Sequence, residues 1–195
     1  MTNAITDFLQ IRRSTLISKM TSEPLPEADI ETILACGVRV PDHAVLGPWQ
    51  IQVIQGEGRA YLGTHILRPE FAANNQDATP EGLAFEEERF LRAGAIFAVL
   101  FTPKEHPKIP EWEMVLSAGA VAMNITTAAQ ALGYGAQWVT EWYSYNDKML
   151  AALGGTVGSD KIAGFIYVGE KSEAPTERRR PPRENVIGFY TPPVA

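Results

Sequence analysis

From Glu111 to Leu132 the chain carries an unbroken helical pattern that stops at Gly133. Over about 22 residues such a helix spans ~33 Å at 1.5 Å per residue, about the diameter of a small domain. Its middle is small-sided: Ser117, Ala118, Gly119, Ala120 and Ala122. Small residues let another helix or backbone approach closely, so this segment reads as the central helix of a domain or of a dimer.

The remaining length suits one ordinary domain, because 195 residues make one domain or at most two small ones. A chain of that size buries about 70% of the surface its unfolded form exposes and needs no disulfide or structural zinc. Its single cysteine, Cys36, could supply neither. Seventeen Lys and Arg against 23 Asp and Glu give a formal net charge of −6, which argues against general nucleic-acid binding. Any anion must therefore be held locally. Asp7 and Gln10 interrupt the N-terminal apolar residues, so no signal-peptide core is read there. No run of about 18 apolar residues suggests a membrane span. The expectation is a soluble cytoplasmic protein without membrane or nucleic-acid partners.

Around the central helix, elements alternate irregularly. Ile5, Phe8, Leu9 and Arg12 predict a short helix capped near Thr2 or Asn3 and ending as Arg13-Ser14-Thr15 begins. Pro26 suits the first turn of a second helix, whose Ile30, Ile33 and Leu34 form a stripe and whose Gly37 is read as a left-handed C′ residue. Trp49 to Val53 alternates as a strand. A helix over 59–67 follows, then a loop over 69–80, then a charged helix over 83–92 with Glu88 and Arg92 paired at i,i+4. Ala95–Phe101 and Ile162–Val168 are continuous apolar runs, the pattern of strands buried on both faces. Tyr134–Thr140 reads as a further strand and Asn146–Leu153 as a capped helix. The whole is an α+β or mixed α/β domain over 1–170. Residues 171–195, with five prolines, four arginines and a terminal apolar group, form an extended arm that must lie on something.

Familiar chemistry finds little foothold. Gly56-Glu57-Gly58 sits between strand and helix, but Tyr61 stands where a dinucleotide turn needs its third glycine, so a simple turn is the better reading. There is no Gly-x-Ser-x-Gly, and Ser117 falls inside the central helix. His43, His65 and His106 are not spaced as metal ligands, and Cys36 reads as a buried structural thiol. Chemistry brought by a cofactor remains. Arg12-Arg13-Ser14 puts two guanidinium groups and a hydroxyl where a helix ends, either to hold an anion or to complement that helix end. Arg39 and His43, in a loop stiffened by Pro41 and Pro48, could hold a polar ring edge. Arg178 to Arg180 bring a third basic group, readable also as a solvated patch.

Taken in order, Arg12-Arg13-Ser14, Pro41-Asp42-His43 with Pro48-Trp49, Ala128-Ala129-Gln130-Ala131-Leu132-Gly133, Gly135-x-x-Trp138, and Gly169 followed by Arg-Arg-Arg-Pro resemble the FMN-dependent nitroreductase family, over nearly the whole chain. The resemblance is strongest to its small, single-domain NAD(P)H nitroreductase branch. It implies a nitroreductase-like α+β fold with a central mixed or antiparallel sheet flanked by helices. It also implies a homodimer whose C-terminal arm wraps the partner, with FMN at the subunit interface.

By position, the resemblance assigns Arg12, Arg13 and Ser14 to FMN phosphate and ribityl groups, and Arg39 and His43 to the flavin from the partner subunit. Trp138, Val139 and Thr140 would line the isoalloxazine, Arg178 and Arg180 would meet the phosphate, and Ala128 to Gly133 would border the nicotinamide nucleotide. Leu16 stands where many larger members place a lysine, and Arg39 to His43 replace their Ser/Asn-rich loop. The implied activity is ping-pong: hydride passes from NAD(P)H to flavin N5, then to a nitroaromatic or quinone-like acceptor, with no side-chain nucleophile. Arg39 is the candidate for stabilising charge at flavin N1 and O2. Other readings are reductive dehalogenation, flavin-consuming chemistry, a non-catalytic flavin or redox-sensing protein, and a protein with an unrelated anionic ligand.

Overall fold

The two continuous apolar runs lie side by side at the centre of a sheet. In the computed structural model, which describes residues 3–193, four strands are ordered β1-β2-β4-β3 and every pairing is antiparallel. In chain order, α1 (Ala4–Ile11) and α2 (Glu27–Gly37) precede β1 (Trp49–Ile54). Next come α3 (Glu57–Leu62), a π-helical turn (Gly63–Leu67), α4 (Arg68–Asn74) and α5 (Pro80–Glu87). They are followed by β2 (Ala95–Phe101), α6 (Glu111–Ala131), β3 (Gly135–Val139), α7 (Asp147–Ala152) and β4 (Lys161–Gly169).

Alternation along β2 divides its side chains between two cores. Ala95, Phe97 and Val99 meet Ile30 and Ile33 of α2 and Val121 and Ile125 of α6 on one face. Ile96, Ala98 and Leu100 meet Phe90, Tyr143, Leu67 and Met149 on the other. A strand covered on both sides has no polar face to show, hence the unbroken apolar sequence. Although α6 is long and apolar enough to cross a membrane by those measures alone, nine of its residues are buried in the protein. It is the core helix. Its small side chains admit α2, and a Cβ on Gly37 would stand 2.7 Å from Ile125 Cγ1. Gly37 is therefore the last residue of α2 and is selected for close approach, whereas the expected left-handed C′ role is not taken up.

Several boundaries differ from the sequence reading. Pro69 occupies the first turn of α4, where its missing N–H is harmless, so the expected loop over 69–80 contracts to the residues between α4 and α5. The expected helix over 83–92 is α5 followed by a 3-10 turn, Arg89–Arg92. Arg89, not Arg92, makes the ion pairs there, with Glu86 and Glu141. Arg92 instead donates to the Arg89 carbonyl and lies over the Phe85 ring. Cys36 is exposed, a correction to the buried thiol, because its side of α2 faces away from the sheet. The Asn3 side chain caps α1 by accepting from Ile5 N at 2.9 Å; Thr2, the other cap considered, lies outside the described residues.

The π-helical turn carries a testable constraint. A Cβ on Gly63 would lie 1.9 Å from the Glu87 carbonyl oxygen, a backbone atom that cannot swing aside as a side chain could. Gly63→Ala should lower stability by about 1–3 kcal/mol, the usual range for overpacking. Equal urea midpoints for the two proteins would show that the turn shifts freely.

Candidate functional site

Arg12, Arg13 and Ser14 leave the end of α1 and are met by the C-terminal arm. Together with Thr176, Arg178 and Arg180 they line a cavity of about 310 Å³. Arg179 is absent from that lining. The cluster is held from α6, since Arg12 Nε donates to Gln130 Oε1 at 2.7 Å and Gln130 Nε2 donates to the Arg13 carbonyl at 2.6 Å. Glu177 is the carboxylate beside it: it pairs with Arg13, lies 3.9 Å from Arg180 Nη2 and accepts from Arg178 N at 3.0 Å. Burial first, and then the charge of Arg180, push the Arg12 guanidinium below its ordinary pKa. Cations crowded in this way leave room for a further anion.

A second group runs along α6 from its N-terminal end past its middle. Glu113, Ser117 and Asn124, spaced four and seven residues apart, lie along one stripe of the helix. The stripe fastens the loop after α2: Glu113 Oε2 lies 2.8 Å from His43 Nδ1, Ser117 Oγ donates to the Pro41 carbonyl at 2.8 Å, and Asn124 Nδ2 donates to the Cys36 and Arg39 carbonyls at 3.2 and 3.0 Å. Trp49 Nε1 completes the lacing by donating to Ser117 Oγ. Gln130 and Glu113 are 17 positions apart on α6, about 25 Å along its axis. The arginine cavity and His43 are thus separated within one chain.

Trp138 stands between them. Its indole Nε1 donates to the Ala163 carbonyl at 3.1 Å, where β4 bulges against β2. Gly164 permits this, because a Cβ there would sit 2.0 Å from Trp138 Nε1. Trp138 and Thr140 are exposed on β3 and beyond its end, while Val139 packs partly into the core. β3 is an edge strand among the described residues.

Of the segment expected to border a nicotinamide nucleotide, Ala129 is buried and Gln130 is engaged with Arg12 and Arg13. Ala128 and Ala131 line an apolar groove with Ile5, Phe8, Leu9 and Arg39. Leu132 caps α6, and Gly133 follows it at φ +100°, the left-handed residue that ends the helix. Among the described residues no three His, Cys, Asp or Glu side chains cluster as metal ligands.

The sequence model of the nitroreductase family matches residues 9–170. The chain belongs to the nitroreductase family. It is 32% identical over 166 residues to a protein of Escherichia coli strain K12 named "Putative NAD(P)H nitroreductase YdjA", with 84% of this chain and 87% of that one covered. It is 30% identical over 175 residues to a "Putative NAD(P)H nitroreductase" of Haemophilus influenzae, covering 86% and 91% of the two chains. Among solved structures, the nitroreductase-like family protein of Bacillus cereus superposes with a TM-score of 0.78 at 23% identity, covering 97% of each chain. A nitroreductase of Desulfovibrio desulfuricans, solved in complex with FMN, gives 0.69 at 23% identity, covering 98% of this chain and 100% of that one.

Within this nitroreductase-family chain, the sequence reading found Arg12, Arg13, Ser14, Arg178 and Arg180, and the fold brings all five to one cavity. It missed Glu177, the polar stripe of α6 and the hydrogen bonds of Asp42 to Leu46 N and Gly47 N. The stripe had a signal in its helical spacing; Glu177 had none, because its partners are fixed only when the arm folds back.

Proposed function

We propose that this protein is an FMN-dependent NAD(P)H oxidoreductase that reduces a small acceptor such as a nitroaromatic or a quinone. The observation that carries the reading is the arginine cavity, lined by four arginines and Ser14 with Glu177 as the neighbouring counter-charge. A phosphate monoester fits that donor set. Bound there, FMN would supply a ring that accepts a hydride from NAD(P)H at N5 and yields it to the acceptor.

The chain's own part is binding and electrostatics. Arg12, Arg13, Ser14, Arg178 and Arg180 would hold the phosphate and ribityl end, and Trp138, Val139 and Thr140 would line the ring. Since His43 is fastened about 25 Å along α6 from the Gln130 contact of Arg12, the reading has His43 act at the site of a partner subunit; the family resemblance assigns Arg39 there as well, although within its own chain Arg39 lines a groove with Leu9 and Ala131. Arg39 would offset charge at N1 and O2, and Ala128 to Gly133 would border the nicotinamide nucleotide. A homodimer is supported by what one chain leaves bare. No residue of α1 is buried, Ile5, Leu9 and Ile11 are exposed, and Trp112 and Leu116 project from α6. Val186, Ile187, Phe189 and Tyr190 of the arm are likewise uncovered, which suits an arm that wraps a partner.

Pure protein should be yellow or become so with FMN, sediment as a dimer, bleach on anaerobic addition of NADH or NADPH, and recover colour with a model quinone. A colourless protein that takes up no FMN would sink the proposal.

A further inference from the structure

Between Asp42 and Gly47 the backbone adopts a conformation that its sequence disfavours. Ala44 and Val45 are consecutive and neither is glycine, yet their φ values are +58° and +56°. A β-branched residue in the left-handed region is an outlier, and such strain persists only where the surroundings over-determine it. Val45 itself contributes nothing to offset that strain, for its side chain is 88% exposed. The compensation comes from Asp42. Its Oδ1 accepts from Leu46 N at 3.2 Å, its Oδ2 accepts from Gly47 N at 2.8 Å, and its carbonyl accepts from Val45 N at 3.2 Å.

What the turn positions lies on either side of it. His43 reaches Glu113, and Leu46 packs against the cluster of Phe101, Ile109, Met114 and Ala118. Pro41 is tied through its carbonyl to Ser117. Both flanks are fastened to α6 and its neighbours, and the left-handed pair lies between them. Were Ala44 and Val45 to relax to negative φ, the chain direction between His43 and Leu46 would change and one flank would have to let go.

We propose that Asp42 is a positioning residue: its carboxylate latches the strained Ala44–Val45 pair and thereby sets where His43 is presented. This rests on the flavin reading above, in which His43 acts at a partner's site. Asp42 acts through His43 and is itself given no place among the groups that hold cofactor or substrate.

The test is a mutational cycle on the FMN-loaded dimer with Asp42→Ala, Val45→Asn and the double variant; asparagine tolerates the left-handed region, so it relieves the β-branched half of the strained pair and lessens the need for the latch. Asp42→Ala should still bind FMN through the arginine cavity and remain dimeric. Its flavin should be reduced by NAD(P)H roughly ten- to a hundredfold more slowly, the scale of a small misplacement, with altered visible circular dichroism. Val45→Asn alone should raise the melting temperature. In the double variant, melting temperature, reduction rate and flavin dichroism should all return toward wild type. Asp42→Asn, which keeps one accepting oxygen, should fall between.

Wild-type rate and dichroism in an FMN-bound Asp42→Ala dimer would overturn the latch while leaving the flavin reading intact. So would a melting temperature restored in the double variant without the rate. A wild-type protein that takes up no FMN would overturn the functional reading, and the latch's role at a flavin with it.

Discussion

Replacing Arg89 with Met should destabilise the fold by about 3–5 kcal/mol, the penalty for leaving one partner of a buried ion pair alone. The Arg89 side chain is 7% exposed and its first partner, Glu86, 4%. Arg89 Nε donates to Glu86 Oε2 at 2.6 Å while Nη2 takes the other carboxylate oxygen, a two-pronged contact that lysine cannot copy. Nη1 reaches on to Glu141, just beyond β3. Trp142 Nε1 adds a fourth hydrogen bond, to Glu86 Oε2 at 3.1 Å. Burial alone would push the guanidinium pKa down, but the hydrogen bonds and charge of Glu86, followed by the charge of Glu141, hold it above its ordinary range.

Without Arg89, Glu86 keeps only the Trp142 donor in a nearly dry site and must take up a proton or drag in water. Removing the charge as well, in Glu86→Leu with Arg89→Met, should recover part of the loss, since a well-packed apolar pair can replace a buried ionic one. By contrast Arg68→Ala, which breaks a pair with Glu87 whose side chains are 49% and 31% exposed, should cost less than about 1 kcal/mol. Urea unfolding at one fixed protein concentration compares the three. A loss below about 1 kcal/mol for Arg89→Met would mean that water reaches Glu86 readily.

This network also marks where sequence reading stops. The i,i+4 rule chose Glu88 and Arg92, because spacing on one helix is all that a single dimension offers. Of Arg89's two partners, Glu86 is an i,i+3 neighbour that spacing could have offered, whereas Glu141 lies 52 positions away and only the sheet brings it there. What could be read were elements whose cause is local. Ala95–Phe101 is apolar because both its faces are covered, and Asn146 caps α7 by accepting from Met149 N at 2.9 Å. Gly37 looked like a helix terminator until Ile125, 88 positions away, supplied a different reason for its missing side chain. The candidate site divides in the same way. Arg12, Arg13 and Ser14 announce themselves as a cationic run, and the motif order that carries the family resemblance extends across the chain. Gln130, which fixes the run in place, reads as one more residue of an alanine-rich helix. Asp42 enters the sequence reading only within the Pro41-Asp42-His43 motif, because nothing in its neighbours forecasts two left-handed residues.

The arginine cavity makes the sharpest functional demand. Arg180→Ala should weaken FMN binding about ten- to a hundredfold, and Arg12→Ala with Arg180→Ala by a further factor of similar size. Each removes charge-assisted hydrogen bonds worth roughly 1.5–3 kcal/mol, and 1.4 kcal/mol is tenfold in affinity. The same substitutions should act differently on the free protein. Burial first and then the like charge of Arg180 lower the Arg12 guanidinium pKa, so losing Arg180 relieves a repulsion while giving up its exposed contact with Glu177, and should leave the apoprotein's melting temperature nearly unchanged. Arg12 also holds Gln130, so its loss should lower that temperature. Glu177→Gln should move affinity the opposite way, tightening FMN binding by removing the carboxylate that already pairs with Arg13. Quenching of FMN fluorescence on titration, read at two salt concentrations, measures all three. Affinity in the double variant within threefold of wild type would show that the phosphate is held elsewhere, and the four arginines would then be no more than a basic patch where the arm meets the end of α1.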